Sequence, residues 1–345
     1  MGLTAGPKDG MTLLERHIDA LMRFRPKSRP PLRFVLPAGN HRLAQARARV
    51  PVDMTVQAQE AAPSRAPLFW RLPPDDATPS FLELWGPWRP GLRPEQPRFW
   101  LGLRPPGWRE TVATPADLAF DTAYDLTGAD GRLLARLTVQ WRAGKSGGRE
   151  WLTLTVPPTV AERIGAAIAP PGDWALEILC GPRMTEPELA IDLFVQCDDT
   201  LPAFRRAGRQ SRLHDPSYRE RGPGGLPLKG GDGGGVFVRH ALTINAYATG
   251  QAPLLVGGHY RDGTPVEYSG LGDAGGEAHD PDLASLTDRS PWLRGVPAAG
   301  TASGSGASYG GTSIAAPLAA REVAKAIAAG LIRAGAPQSR MDRVE

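Results

Sequence analysis

The sequence predicts an α/β body interrupted by an antiparallel β-sandwich, and three observations carry that expectation. Near the start, Thr12-Leu13-Leu14-Glu15 has the form of a capping box, with Leu14, Ile18, Leu21 and Met22 following at helical spacing. From about Ala44 to Asp199 the helical period disappears and apolar residues alternate between Pro/Gly turns. Near the end, Tyr309-Gly310-Gly311-Thr312-Ser313-Ile314-Ala315-Ala316-Pro317 leads into Ala319, Ala320, Val323, Ile327, Leu331 and Ala334, again at helical spacing.

The elements follow in order. A helix is expected from Thr12 to Phe24, ended by Pro26, Pro30 and Pro31. Leu32-Arg33-Phe34-Val35-Leu36 reads as a buried strand leading into Pro37-Ala38-Gly39-Asn40. Asn40 thus stands at the carboxyl end of a strand, where open α/β sheets gather their functional groups; taken alone, an Asn there is more often a turn former than a catalyst. Residues 1–43 form the first α/β part and residues 44–200 the sandwich. In the sandwich, Leu133, Ala135, Leu137, Val139 and Trp141 alternate with Leu134, Arg136, Thr138 and Gln140, and Trp151, Thr153 and Thr155 alternate with Leu152, Leu154 and Val156. Residues 174–180 and 189–197 read as two strands of a hairpin that keeps Cys180 and Cys197 apart as two buried thiols. Trp70, Trp85, Trp88, Trp100 and Trp108 serve either as sandwich core or as an aromatic platform for a ligand. Residues 201–235, rich in Arg and Gly, read as a linker. The second α/β part, residues 236–345, begins with an expected strand at 237–246, followed by Leu254-Leu255-Val256-Gly257-Gly258.

The stretch around Ser313 carries the chemistry. Pro317 fits a first helical turn, where its missing amide hydrogen costs nothing, so Ser313 falls at a helix N-terminus. The first amides of a helix lack intrahelical partners and favour negative charge beside them. The small residues Gly311 and Thr312 let a substrate backbone approach. On these residues alone two readings stand: an active-site serine, or a Gly/Ser-rich loop capping an ordinary helix.

Gly311-Thr312-Ser313-Ile314-Ala315-Ala316-Pro317 resembles the nucleophile motif Gly-Thr-Ser-x-Ala-x-Pro of the subtilisin-like serine peptidases, the subtilases. Leu36-Pro37-Ala38-Gly39-Asn40 resembles the stretch in which a strand of that family ends in the Asn of its oxyanion hole. The resemblance covers residues 3–42 and 235–334. It implies an incomplete subtilisin-like parallel sheet with flanking helices, Ser313 as nucleophile of a serine endopeptidase, and Asn40 as an oxyanion donor supported by Gly311, Thr312 and Pro317. The sandwich is then an insertion.

The family's chain order is Asp, His, Ser, yet neither the Asp motif nor a His-Gly-Thr segment occurs here. None of His17, His41, His214, His240, His259 and His279 stands in the expected context. The triad Asp and His are therefore expected from a missing N-terminal segment or another chain, and this chain alone is expected to be inactive. The alternative is a non-catalytic binding protein that uses the sandwich, through Trp85, Trp88, Trp100 or Trp108, with the peptidase remnant as scaffold.

Composition sets the remaining bounds. At 345 residues, 41% apolar and 22% charged, the chain can bury a substantial core. Its charge of +4 is scattered, with no basic run that reads as a nucleic-acid footprint. No apolar run approaches a membrane span and the first residues do not form a signal peptide, so the compartment is left undetermined. The expected partner is a peptide or protein substrate. Two cysteines and scattered histidines predict no metal site; the resemblance allows structural calcium without placing it on any residue.

Overall fold

The structure is a computed structural model that describes residues 3–26, 28–51, 68–91, 93–115, 117–144, 147–161, 163–180, 190–197, 208–222, 236–273 and 278–332. It contains mixed sheets and two helices among the described residues, and it divides into two compact units, Met1–Ala44 with His240–Glu345, and Gln45–Arg239.

The first unit opens with α1 (Leu13–Arg23), capped by Thr12 through the full capping box. Glu15 does more than cap. Buried completely, its carboxylate also accepts from the Thr249 amide at 2.8 Å and the Thr249 hydroxyl at 2.6 Å. This turns Glu15, Ile18 and Met22 inward and leaves Leu14 and Leu21, expected on the buried face, exposed. β1 (Val35–Pro37) is shorter and later than the strand expected at 32–36, and only half-buried.

The second unit follows in sequence. Its strands are β2 (Arg47–Pro51), β3 (Leu68–Leu72), β4 (Ser80–Trp85), β5 (Arg89–Pro90), β6 (Phe99–Arg104) and β7 (Val112–Ala113). They continue with β8 (Thr122–Thr127), β9 (Leu133–Ala143), β10 (Gly147–Val156), β11 (Gly172–Cys180), β12 (Ala190–Val195) and β13 (Arg212–His214). One sheet has the order β2-β12-β4-β10-β9-β8, with β5 paired to β10; the other runs β13-β3-β11-β6-β7, and every pairing is antiparallel. The inward residues Leu152, Leu154 and Val156 are fully buried, as their alternation predicts.

Three expectations for this region are corrected. β11 and β12 are not a hairpin: they lie in different sheets, and their shared alternation marks two inward faces. Cys180 is buried but Cys197 only half-buried, and no disulfide joins them. β13 forms the edge of the five-stranded sheet, so this part of residues 201–235 belongs to the folded unit; residues 201–207 and 223–235 lie outside the described residues, as do residues 181–189.

Nor do the four candidate tryptophans build an exposed platform. Trp85 is buried, stacked on Trp151 with centroids 4.9 Å apart, and the Arg149 guanidinium lies 4.6 Å from the Trp85 ring and 4.9 Å from that of Trp88. Trp88 and Trp100 are half-buried, and Trp108 alone of the four reaches 36% exposure. For Trp85 and Trp88, Arg149 favours this packing, since a cation held over two indole faces draws them together.

The chain then returns to the first unit through β14 (Leu254–Tyr260), β15 (Leu283–Asp288), β16 (Val296–Ala299), β17 (Gly306–Tyr309) and α2 (Thr312–Ala328). β1, β14 and β15 form a three-stranded parallel sheet in that order, with Val35 opposite Leu254 and Val256 opposite Leu283. α2 packs on this sheet through Ala315, Ala316 and Ala319 against Val256, Val35 and Leu283; the alanines let helix and strands approach closely. Leu331, expected on the buried face, lies past the helix and is exposed, and Ala334 falls outside the described residues. The strand expected at 237–246 does not form. Leu242 takes φ +55°, incompatible with an extended run, and the amides of Leu242, Thr243 and Asn245 bond singly to Gly272, Leu271 and Ala38.

In the second unit, the buried Arg98 guanidinium and Glu150 carboxylate pair where β6 begins beside β10, which ties the two sheets together. Removing one partner strands the other charge, so Arg98→Ala should destabilise this unit by about 3–5 kcal/mol, and Arg98→Met with Glu150→Leu should recover most of the loss. Urea unfolding followed by tryptophan fluorescence checks both.

Candidate active site

The sheet brings its carboxyl ends to one edge of the first unit. Asn40 follows β1, Tyr260 ends β14 and Asp288 ends β15, and α2 starts with Ser313 as its second residue.

Asn40 and the start of α2 are bonded directly, although 272 residues separate Asn40 from Thr312. The Asn40 carboxamide oxygen accepts from the Thr312 amide at 2.9 Å and from the Thr312 hydroxyl at 3.0 Å. The Thr312 hydroxyl in turn accepts from the Gly39 amide at 3.0 Å. Thr312 is fully buried, whereas Asn40 and Ser313 are exposed.

Glycine is required on both sides of this contact. Gly39 and Gly311 each take φ +104°, and a methyl group on Gly311 would lie 2.9 Å from the Asn40 amide nitrogen. Gly311 is also the N-cap of α2, with no side-chain cap of its own. The Asn40 oxygen supplies that missing acceptor from a distant part of the chain.

The donors left over define the chemistry. In the first turn of α2, the Thr312 amide is held by Asn40 and the Ile314 amide by the Gly311 carbonyl at 2.9 Å. Among the described residues neither the Ser313 amide nor the Asn40 amide nitrogen has an acceptor, and nothing hydrogen-bonds the Ser313 hydroxyl. Two donors at a helix N-terminus therefore flank an exposed hydroxyl, an arrangement able to receive an oxyanion. Pro317 sits in the second turn rather than the first, so it offers no hydrogen to the Ser313 carbonyl one turn back.

The sequence reading missed three residues that hold this site. Asn245, buried within the stretch read as a strand, donates its side chain to the Pro37 carbonyl at 2.7 Å and its backbone amide to that of Ala38 at 2.8 Å, fixing the turn before Asn40. Tyr268 accepts from the Gly311 amide at 2.9 Å and donates to the Asp288 carboxylate. Asp288, almost fully buried, also accepts from the Gly295 amide at 2.6 Å. Tyr268 and Asp288 lie within residues 235–334, which the resemblance covers, but no spacing pattern joins them to Gly311.

Burial, and then the bond to Asp288, push the Tyr268 phenol up to about 12, so it keeps its proton and is no base for Ser313. The histidines do not fill that role among the described contacts. His17 bonds its own helix at the Leu13 carbonyl, His259 the Tyr260 carbonyl and His279 the Asp280 carbonyl, while His214 lies in β13 of the other unit. His41 is half-buried beside Asn40 and His240 is buried, and neither is bonded to Ser313. No cluster of three or more metal-binding side chains occurs among the described residues, and no helix there is long and apolar enough to cross a membrane.

Two substitutions test the geometry. Gly311→Ala should displace the Asn40 side chain and unfold more readily, by about 1–3 kcal/mol, as read by thermal or chemical denaturation. Because the folded Tyr268 pKa lies above its ordinary 10.0, the stability this phenol contributes is complete below about pH 10 and is lost as pH rises towards about 12. Tyr268→Phe should remove that part of the alkaline loss, which a comparison of denaturation midpoints from pH 9 to 12 measures.

Neither a protein-family model nor a curated relative matches the sequence. Three solved chains match in structure, among them the Clostridium perfringens CspB protease, with TM-score 0.60 and 12% identity over 96% of this chain and 55% of that one. This chain therefore has a protease-like fold and spans about half the length of the protease it matches.

Proposed function

We propose that this chain carries the nucleophile and oxyanion-binding half of a subtilisin-like serine endopeptidase. The reading rests on one observation: the Asn40 oxygen is fixed by Thr312, while among the described residues its side-chain nitrogen and the Ser313 amide stand without acceptors beside the exposed Ser313 hydroxyl. The sequence motif and the protease-like fold agree with it.

In this mechanism the Ser313 hydroxyl oxygen attacks the scissile carbonyl carbon and its proton passes to a histidine base oriented by an aspartate. Both come from polypeptide outside this chain. The carbonyl oxygen becomes an oxyanion and accepts from the Asn40 side chain and the Ser313 amide. As the intermediate collapses, the C–N bond breaks and the amine leaves with the proton carried by the base. Water then hydrolyses the acyl-serine by the reverse sequence of proton transfers. Tyr268 and Asp288 are positioning residues in this reading, since they act by holding Gly311.

A fluorophosphonate probe with peptide mapping tests this reading. The chain alone should be labelled at Ser313 orders of magnitude more slowly than an intact serine peptidase, for want of the base. Asn40→Ala should slow that labelling a further 10²–10³-fold, about the loss expected for one oxyanion donor. Labelling at a different residue, or an Asn40→Ala rate equal to the wild type, would contradict the assignment; labelling as fast as an intact enzyme would refute the need for an external base.

A further inference from the structure

The loop between β15 and β16 carries side chains that the proposed chemistry leaves without a role. The Ser290 hydroxyl accepts from the Leu293 amide at 3.0 Å, closing a tight turn that presents Trp292 at 81% exposure and Leu293 at 52%. Tyr309, which pairs with Val296 at the end of the β16–β17 hairpin, is 46% exposed. Single exposed apolar residues are ordinary, but three large ones on a loop and its adjoining hairpin mark a recognition surface.

Arg294 lies within this group. Its guanidinium is 6.0 Å from the centroid of the Tyr260 ring and 5.6 Å from that of Tyr268. The phenols donate to Glu267 and Asp288 respectively, and neither carboxylate forms an ion pair with the guanidinium. Among the described residues the guanidinium makes neither an ion pair nor a hydrogen bond. It is an exposed cation held over two aromatic rings.

The loop abuts the strand end that leads into Ser313. A methyl group on Gly310 would lie 2.8 Å from the Asp288 carboxylate and 3.6 Å from the Gly295 α-carbon, next to Arg294. An extended peptide advances about 3.3 Å per residue, so one that reaches Ser313 passes this loop within a few residues.

We infer that the loop 290–295, with Tyr309, binds an acidic residue of the polypeptide substrate through Arg294 and a neighbouring bulky apolar residue through Trp292 and Tyr309. Arg294 is then a specificity-determining residue. The identification of the ligand as a substrate rests on the peptidase reading; its charge and apolar character rest on the loop itself.

The test uses the full chain with Ser313→Ala, so that binding is read without turnover. The probes are fluorescein-labelled ten-residue peptides that differ only at a central Glu-Leu, Gln-Leu or Lys-Leu, followed by fluorescence anisotropy. The Glu peptide should bind about tenfold more tightly than the Gln peptide and lose that advantage at high salt. Arg294→Gln should abolish the discrimination, Arg294→Glu should reverse it towards the Lys peptide, and Trp292→Ala should weaken all three. Equal affinity for the Glu and Gln peptides, or discrimination that survives Arg294→Gln, would overturn the inference, as would no binding of the Glu peptide at millimolar concentration. Fluorophosphonate labelling of the wild-type chain keeps the two readings apart. Discrimination with labelling at a residue other than Ser313 refutes the peptidase and leaves the recognition surface standing. Labelling without discrimination refutes the surface alone.

Discussion

The hydrogen bonds from the Thr312 amide and hydroxyl to the Asn40 carboxamide oxygen are the constraint on which the first unit's site depends. A helix that begins at a glycine has no cap of its own, and its exposed amides need an acceptor. Here the acceptor comes from the end of β1, with the whole second unit between the two in sequence. The same bonds orient the carboxamide: once its oxygen is occupied by Thr312, the nitrogen is the end left to meet a ligand.

The rest of the site limits how far this contact can drift. Asn245 fixes the turn before Asn40 from one side, and Tyr268 with Asp288 fixes Gly311 from the other. Alanines on α2 keep the helix close to the parallel sheet, so movements of the helix start are resisted by packing as well as by polar bonds. Preorganisation of this kind is what an oxyanion site requires, because donors already in place need no rearrangement as charge develops.

Much of this was legible in the sequence where the signal is local. The capping box at Thr12 and Glu15, the alternation in β9 and β10, and the helix behind Ser313 all follow from periodicity within a dozen residues. What escaped depends on long-range partners. Asn245 lies in a run with the composition of a strand, and a positive φ at Leu242 together with single bonds to distant segments decides otherwise. β11 and β12 share a period yet belong to different sheets, because alternation reports a buried face and not the partner. Glu15 shows the converse error: a helix whose leucines suggest one buried face is turned by a single carboxylate that finds Thr249.

The most direct measurement is a crystal structure of the chain after slow phosphonylation of Ser313. The account predicts a phosphonyl oxygen within hydrogen-bonding distance of both the Asn40 side-chain nitrogen and the Ser313 amide, with the Asn40 oxygen still bound to Thr312. An adduct whose oxygens face solvent, with Asn40 turned away from α2, would contradict it.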